Sequence, residues 1–401
     1  MSSLETSASL NASGERSTGA GLAIAILAFA GFVIVTTEFL IIGLLPAMAR
    51  DLGMSISTAG LLVTLFAFTV MLFGPPLTAM LSHLDRKRTF IIILLIFAAS
   101  NALAAVSSNI WVLALARFIP ALALPVFWGT ASETASLLAG PRQAGKAVAQ
   151  VYLGISAAML FGIPLGTVFA DAVGWRGAFW ALTALCAVMA LALALSMPHL
   201  APTSKVGLAQ QARILRDPHF IAHLVLSVLL FTAMFSAYTY LADTLERIAG
   251  VDSAQVGWWL MGFGAVGLIG NALGGRYVDR SPLGSTIVFT LLLALGMTAS
   301  VPAAGSLPLL AAVLVLWGIA HTALFPICQI RVMKAAPQAQ ALAGTLNVSA
   351  ANAGIGLGSI IGGVTIEHFG LGAVGNVAAF VAVLAVAVAW FTILQGRKRQ
   401  G

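Results

Sequence analysis

Long apolar stretches separated by short polar loops run through nearly the whole chain. Twelve of them approach or exceed the roughly 20 apolar residues that a helix needs to cross a bilayer. The longest polar stretch, 198–218, separates the sixth from the seventh. The spans lie at approximately 21–48, 57–81, 90–107, 111–138, 145–170, 177–197, 219–245, 254–278, 284–301, 307–331, 339–366 and 371–395. The pattern predicts an all-α integral membrane protein with twelve transmembrane helices.

The same pattern divides the chain into two six-helix bundles, 21–197 and 219–395, joined by a cytoplasmic linker at 198–218. Residues 1–20 are rich in Ser, Ala and Gly, a composition that favours a disordered tail. Residues 396–401 form a short basic tail. The first apolar segment is too long for the core of a signal peptide.

The composition agrees with this class of protein. The 401 residues are 60% hydrophobic and only 8% charged, whereas soluble domains carry about 25% charged residues. Cys186 and Cys328 lie inside apolar spans, so no structural disulfide is expected. No Cys/His group has the spacing of a metal site. The sequence also has no Walker A motif, so we do not expect ATP to be the energy source. We therefore expect no cofactor.

The basic residues predict the orientation of the chain. With the N-terminus in the cytoplasm, 16 of the 20 Lys and Arg residues fall in cytoplasmic segments, as the positive-inside rule requires. Only Arg50, Arg176 and Arg247 fall on the outer side, and Arg117 lies within the fourth span. The net charge of +7 is thus a topology signal and indicates no nucleic-acid partner.

The two halves repeat one another. The glycines that open the second span recur at the start of the eighth, and Pro125 of the fourth span recurs as Pro326 of the tenth. Small residues spaced four apart in the fifth span, Gly154, Ala158, Gly162 and Gly166, correspond to Ala350, Gly354, Gly358 and Gly362 in the eleventh. The offsets are nearly equal (196, 197 and 201). Duplicated halves are typical of transporters that rock about a site near the midplane.

The stripes of small residues let neighbouring helices approach closely. Tight packing is one consequence, and Pro164 lies within the first stripe. We also expect these faces to act in gating, as the surfaces on which the two halves slide.

Glu38 is the ionisable side chain within the first span, preceded by Thr36 and Thr37. A carboxylate is costly in the middle of a bilayer, so such a residue usually faces the bundle interior or a water-filled cavity. The alternative is a side chain that reaches the headgroups. Because about ten more apolar residues follow Glu38, we favour the interior and predict that it carries a proton.

Polar and aromatic side chains in the middle of other spans are candidate contacts for a solute. They are Thr37, Trp128, Tyr238, Tyr240, Trp317, His321, Asn347 and Asn352. The alternative for the tryptophans and tyrosines is a place in the aromatic belts at the membrane surfaces. His321 is a titratable group deep in the tenth span.

Several motifs make the chain resemble a known family. The stretch from Gly154 to Thr167, GISAAMLFGIPLGT, resembles the glycine–proline signature of proton-driven antiporters of the major facilitator superfamily. Thr36-Thr-Glu-Phe39 and Gly174-Trp-Arg176 look like the bacterial sugar-efflux and arabinose/purine-efflux branch of the drug:proton antiporters. The resemblance implies the major facilitator fold, the bacterial inner membrane, export of a small solute and exchange for protons.

The resemblance also assigns roles to charged residues. Arg117 matches the family's intramembrane arginine, which implies a part in proton coupling; the alternative is an arginine that reaches the outer surface. The loop signature Gly275-Arg-Tyr-Val-Asp279-Arg280 is intact in the second half and implies a gating latch. In the first half Ser82 replaces its aspartate, which leaves that latch in doubt. Glu133 is expected to bind Arg86 or Lys87 as a structural pair.

Together these observations favour a proton-coupled exporter of a sugar, nucleoside or drug, acting as a monomer. An uptake symporter is the alternative. A membrane-embedded enzyme would need converging catalytic groups, and the sequence offers none.

The basic-residue bias yields a test of topology. We expect epitope tags inserted in the 198–218 linker and at the C-terminus to be inaccessible from outside intact cells, because both segments belong to the cytoplasmic side. Labelling of the linker tag before permeabilisation would contradict the orientation.

Overall fold

Helices make up every regular element of the described chain. The computed structural model describes residues 2–81, 84–140, 144–198, 212–278, 280–337 and 340–400. The helices are α1 (Ser2–Asp51), α2 (Ile56–Leu81), α3 (Arg86–Ala105), α4 (Ile110–Ala139), α5 (Ala144–Ala157), α6 (Ile163–Ser196), α7 (Pro218–Tyr238), α8 (Leu241–Arg247), α9 (Ser253–Val278), α10 (Pro282–Ala303), α11 (Leu307–Ala335), α12 (Gln340–Phe369) and α13 (Val374–Gln400). A π-helical turn, Ala158–Gly162, joins α5 to α6, and 3-10 segments span Ala212–Arg216 and Leu371–Ala373.

Eleven helical stretches of the described residues are long and apolar enough to cross a membrane. One of them, Gln150–Ser196, has 47 residues and would be about 70 Å long as a single helix, more than twice the hydrocarbon core of about 30 Å. Gly174 interrupts it with a φ of 80°, in the left-handed region that favours glycine. This stretch is long enough to cross twice, as the predicted twelve helices require, and the predicted all-α membrane fold is confirmed.

Both ends of the described chain are helical. Helix α1 begins at Ser2, and the membrane span within it begins at Ala20. The disorder that the sequence favours for residues 1–20 stays a prediction. At the other end, α13 runs to Gln400 and includes most of the basic tail. Most of the predicted linker, 199–211, lies outside the described residues.

Polar residues just before several helices fix where they begin. The side chains of Asp85, Asn109, Asp217 and Ser281 accept hydrogen bonds from the first backbone N–H groups of α3, α4, α7 and α10. These donors have no partner within the helix itself. Short capped loops therefore return the chain into the membrane.

The glycine stripes pack within the halves and not between them. A Cβ atom on Gly154, Gly162 or Gly166 would meet α1, at Ala28, Thr36 and Leu40 respectively. One on Gly354, Gly358 or Gly362 would meet α7, at Val228, Thr232 and Ser236. The expectation that these stripes are sliding surfaces between the halves is therefore wrong. Close helix approach makes each stripe a fixed joint inside one bundle.

Other glycines lie at the boundary between the halves. Gly257 and Gly264 of α9 lie against the backbone of α6 and of the π-helical turn. Gly356 and Gly363 of α12 lie against Phe68 and Ser57 of α2. The two largest contacts between the halves are thus those of α2 with α12 and of α6 with α9.

The fixed joints predict a difference in stability between two glycine substitutions. At Gly358 a Cβ would lie 2.6 Å from the Thr232 carbonyl oxygen, whereas at Gly262 of α9 it would meet nothing within 4 Å. We expect Gly358→Ala to lower the free energy of unfolding by about 1–3 kcal/mol through overpacking. Gly262→Ala should be neutral or slightly stabilising because alanine favours helix. Thermal unfolding of the purified variants measures both, and equal melting temperatures would contradict the assignment of the stripe.

Candidate functional site

The two halves touch at one end of the bundle, the end where α1 finishes and α2 begins, here called the Asp51 end. Arg50 of α1 forms an ion pair with Glu246 of α8 at 2.6 Å. Ser253, the first residue of α9, donates a hydrogen bond to Asp171 of α6 at 3.0 Å. The hydroxyl of Thr64 in α2 donates to the Gly356 carbonyl of α12 at 3.1 Å. These contacts close the Asp51 end.

The halves separate toward the opposite end, where α2 finishes and α12 begins. Along α2 the contact face runs from Thr64 to Phe68, and Leu72, one turn further, is 61% exposed. Along α12 the same face runs back from Gly356 through the buried Asn352 to Val348, which is 47% exposed. The named contacts between α2 and α12 thus end between Phe68 and Leu72, and the region between the halves beyond them is here called the cleft.

Glu38 and Arg117 meet beside the first half of this cleft. The Arg117 guanidinium is buried and donates to the backbone carbonyls of Thr37 at 2.8 Å and Glu38 at 2.7 Å. Its carbon lies 4.3 Å from the centre of the Phe66 ring, a cation–π distance. Arg117 thus turns into the bundle and not to the outer surface. Its hydrogen bonds go to the α1 backbone and not to the Glu38 carboxylate.

The Glu38 side chain is 9% exposed. Among the described residues its carboxyl oxygens make no ion pair within 4 Å and no hydrogen bond. A carboxylate in such a place lacks the donors that normally compensate buried charge. Glu38 lies inside the bundle as the sequence predicts, and not among the headgroups.

Thr37, a candidate solute contact, is occupied by the packing of the first half. Its hydroxyl donates to the Val33 carbonyl at 3.0 Å and accepts from the Asn101 side chain of α3 at 3.1 Å. The same amide lies 3.8 Å from the Cys186 sulfur of α6. Thr37 therefore helps to hold α1 against α3 directly beside Glu38.

Aromatic rings of the second half surround His321. The ring centres of Tyr238, Phe235, Phe263 and Phe325 lie 4.7, 5.7, 5.7 and 5.8 Å from its own. His321 is buried, and its Nδ1 atom has no hydrogen-bond partner among the described residues. We call these five rings the His321 cluster. The sequence singled out two members, His321 and Tyr238, and the structure brings them together.

One aromatic contact connects the His321 cluster to the Glu38 side of the cleft. The ring of Phe39, the residue after Glu38, lies 5.9 Å from that of Phe235. Phe39 belongs to α1 and Phe235 to α7, so the two halves meet here in the middle of the bundle. The sequence did not identify either residue, since phenylalanine is common in every span.

The other candidate solute contacts are scattered. Trp128 packs on Phe127 and Tyr152 in the first half, with ring centres 5.2 Å apart in both cases. Trp317 is buried against Gly296 of α10 and the Phe263 ring.

Asn347 belongs to a buried polar network inside the second half. Its amide donates to Gln329 at 2.7 Å and its carbonyl accepts from Ser227, which in turn accepts from Arg331, each at 2.8 Å. The network joins α7, α11 and α12. Arg331, counted above among the loop residues that set the topology, is in fact fully buried within α11.

Two further candidates lie at the boundary of the halves. Asn352 is buried next to the contact face of α12, and its Oδ1 atom has no partner among the described residues. Tyr240 lies at the closed Asp51 end and contacts Gly60 of α2. Tyr240 is thus part of the closure and does not line the open cleft.

The predicted latch in the second half can be described only in part, because Asp279 and Ser82 lie outside the described residues. A Cβ atom on Gly275 would meet nothing within 4 Å, and Arg280 is exposed near the ring of Tyr277. In the first half, Glu133 binds the buried Arg86 at 2.9 Å, which confirms the expected structural pair.

Comparison with known proteins identifies the family. The model of the Major Facilitator Superfamily matches residues 27–340 and 224–400. The chain is 34% identical over 369 residues to the inner membrane transport protein YdhP of Escherichia coli K12, covering 92% of this chain and 93% of that protein. It is 30% identical over 370 residues to a probable sugar efflux transporter of Mannheimia succiniciproducens, covering 92% of both.

Solved structures agree on the fold. The inward-facing, unoccupied bacterial homologue of the human lysosomal transporter Spinster has a TM-score of 0.78 at 18% identity, over 94% of this chain and 96% of that one. The nucleoside transporter NupG has a TM-score of 0.76 at 16% identity, over 93% and 99%. The twelve crossings, the two bundles and the family match lead to one conclusion: the chain belongs to the Major Facilitator Superfamily and is a multi-pass inner membrane transport protein rather than an enzyme.

Proposed function

We propose that the protein is a proton-coupled exporter that exchanges protons for a small polar or amphipathic solute by alternating access. The observation that carries the proposal is Glu38, a carboxyl group inside the bundle with no hydrogen bond to another described residue. The relatives of this chain support transport, and one of them is a probable sugar efflux transporter. Sugars, nucleosides and drugs are the solute classes to be tested.

The surroundings of Glu38 suit a group that changes its protonation during the cycle. In the closed arrangement Arg117 gives its hydrogen bonds to the carbonyls of Thr37 and Glu38. Burying a carboxylate without donors costs several kcal/mol, whereas the neutral acid costs much less. A rearrangement of α1 against α4 that turned Arg117 toward the carboxylate would reverse this preference. Alternation would then load and release one proton at Glu38.

The orientation completes the proposal. With the N-terminus in the cytoplasm, the Asp51 end faces outward and the cleft opens to the cytoplasm, from which an exporter takes its solute. The His321 cluster and the Trp128–Tyr152 pair would provide ring faces for an amphipathic solute. The protein would work as a monomer with the proton gradient as its energy source. An uptake symporter is the alternative, and it would use the same cleft in the opposite direction.

The direction of transport can be measured once a solute is known. A ligand-induced thermal-shift screen over arabinose, adenosine and antibiotics would supply one. The test uses proteoliposomes in which all molecules have the same orientation. Movement of solute against its own gradient, in the direction opposite to the proton flow, supports export. Accumulation of solute in the same direction as the proton flow would favour the symporter.

Glu38→Gln tests the coupling site. Glutamine is nearly isosteric with glutamate and permanently neutral, so we expect a folded protein that exchanges solute down its gradient but has lost proton-driven transport. Glu133→Gln is the matched control, since that carboxylate is half exposed and pairs with Arg86 at the end of the bundle. It should retain coupling. Proton release on addition of solute, measured in detergent with a pH dye, should vanish in Glu38→Gln only. Unchanged release from this variant would remove Glu38 as the coupling site.

A further inference from the structure

Tyr240 occupies the boundary of three helices at the closed Asp51 end. Helix α7 ends at Tyr238, Thr239 and Tyr240 form a turn, and α8 begins at Leu241. The Tyr240 side chain is 1% exposed, and its hydroxyl donates to the Ser359 carbonyl of α12 at 2.7 Å. The hydroxyl of Ser359 donates in turn to the Gly60 carbonyl of α2, also at 2.7 Å.

Two glycines make room for this ring. A Cβ atom built on Gly60 of α2 would overlap the Tyr240 hydroxyl, and one on Gly363 of α12 would lie 2.9 Å from the same oxygen. The Tyr240 side chain therefore packs between the backbones of two glycines, Gly60 of the first half and Gly363 of the second. The contact with Gly60 can form only when α2 and α12 are together, whereas the hydrogen bond to Ser359 lies within the second half.

The charged contacts nearby are weaker by comparison. Arg50 is 60% exposed where it pairs with Glu246, and the hydrogen bond of Ser253 to Asp171 is also exposed. Exposed ion pairs contribute little because water and salt screen them. The buried contacts of Tyr240 are thus the stronger part of the closure.

We propose that Tyr240 is the latch that holds α2 against α12 and keeps the Asp51 end shut. The inference rests on the alternating access of the proposed function, since the latch must release for that end to open. Tyr240 is then a positioning residue of the transport cycle. It does not contact the solute in the open cleft, although the sequence suggested that it would.

The chain also connects this latch to the His321 cluster. Tyr238, two residues before the latch, has its ring 4.7 Å from His321 and 5.4 Å from Phe263. The intervening Thr239 has a buried hydroxyl without a partner among the described residues, and the helix is broken at this turn. A solute that displaces the Tyr238 ring would therefore move the Tyr240 backbone. Binding of a solute at the His321 cluster and opening of the Asp51 end would then be linked through Tyr238, Thr239 and Tyr240.

Distance measurements across the Asp51 end test the latch directly. Spin labels on Leu52→Cys of the first half and Ala254→Cys of the second, with Cys186→Ala and Cys328→Ala in the background, report whether the end is open. We expect Ser359→Ala, which removes the hydrogen bond from α12 to the Gly60 carbonyl of α2, to add a population at longer distance. The loss of this one buried hydrogen bond between the halves should raise the open-to-closed ratio roughly three- to tenfold. Gly60→Ala should shift it further, because its Cβ overlaps the latch.

Controls separate a latch from a purely structural tyrosine. Tyr240→Ala removes the ring that packs against Gly60 and should shift the distances in the same direction as Ser359→Ala. Tyr277→Ala removes the ring of an exposed tyrosine at the other end and should leave the distances unchanged. A lower melting temperature with the distance distribution of the parent protein would overturn the proposal. The measurement needs neither a proton gradient nor a known solute, so failure of coupling at Glu38 would leave its result intact.

Discussion

The cost of burying charge in an apolar bundle shapes the interior of this protein. Three arginines of the described chain are almost completely buried, and each has a different environment. Arg86 pairs with Glu133, Arg117 donates to two backbone carbonyls, and Arg331 donates to Ser227. Glu38 differs from them because its carboxyl group has no described hydrogen bond. A buried group that is not held by partners is the one whose protonation can change at low structural cost.

Close backbone contact holds α12 to α7 inside the second half. One face of α12 lies on α7 through Gly354, Gly358 and Gly362, where a Cβ atom would meet backbone atoms. An adjacent face of the same helix lies on α2 and uses side-chain contacts such as that of Thr64 with the Gly356 carbonyl. Contacts of the first kind have no room to slide. Contacts of the second kind run through side chains such as those of Thr64 and Ser359, so they can break without unpacking either bundle.

Much of the architecture follows from the sequence, for clear physical reasons. Hydrophobic length predicts the twelve crossings, because every span must satisfy its backbone inside the bilayer. The cost of an intramembrane charge singles out Glu38 and Arg117 for the interior. The sequence does not determine which neighbour a helix face contacts, since small residues allow any close approach. The glycine stripes were therefore assigned to the wrong boundary, and Tyr240 to the cleft. Phe39, Phe66 and Phe235 carry no distinguishing signal among 22 phenylalanines.

The contact between Phe39 and Phe235 connects the helix that carries Glu38 to the His321 cluster. Phe39 follows Glu38 on α1, and its ring meets Phe235, whose other neighbours are His321 and Tyr238. Movement of α1 that changes the environment of Glu38 must therefore move the Phe39 ring against the His321 cluster. The cluster in turn reaches the Asp51 end through the turn after Tyr238. Under the proposed function, these packed side chains would link proton binding, solute binding and closure, and each would bias the same opening of α2 from α12.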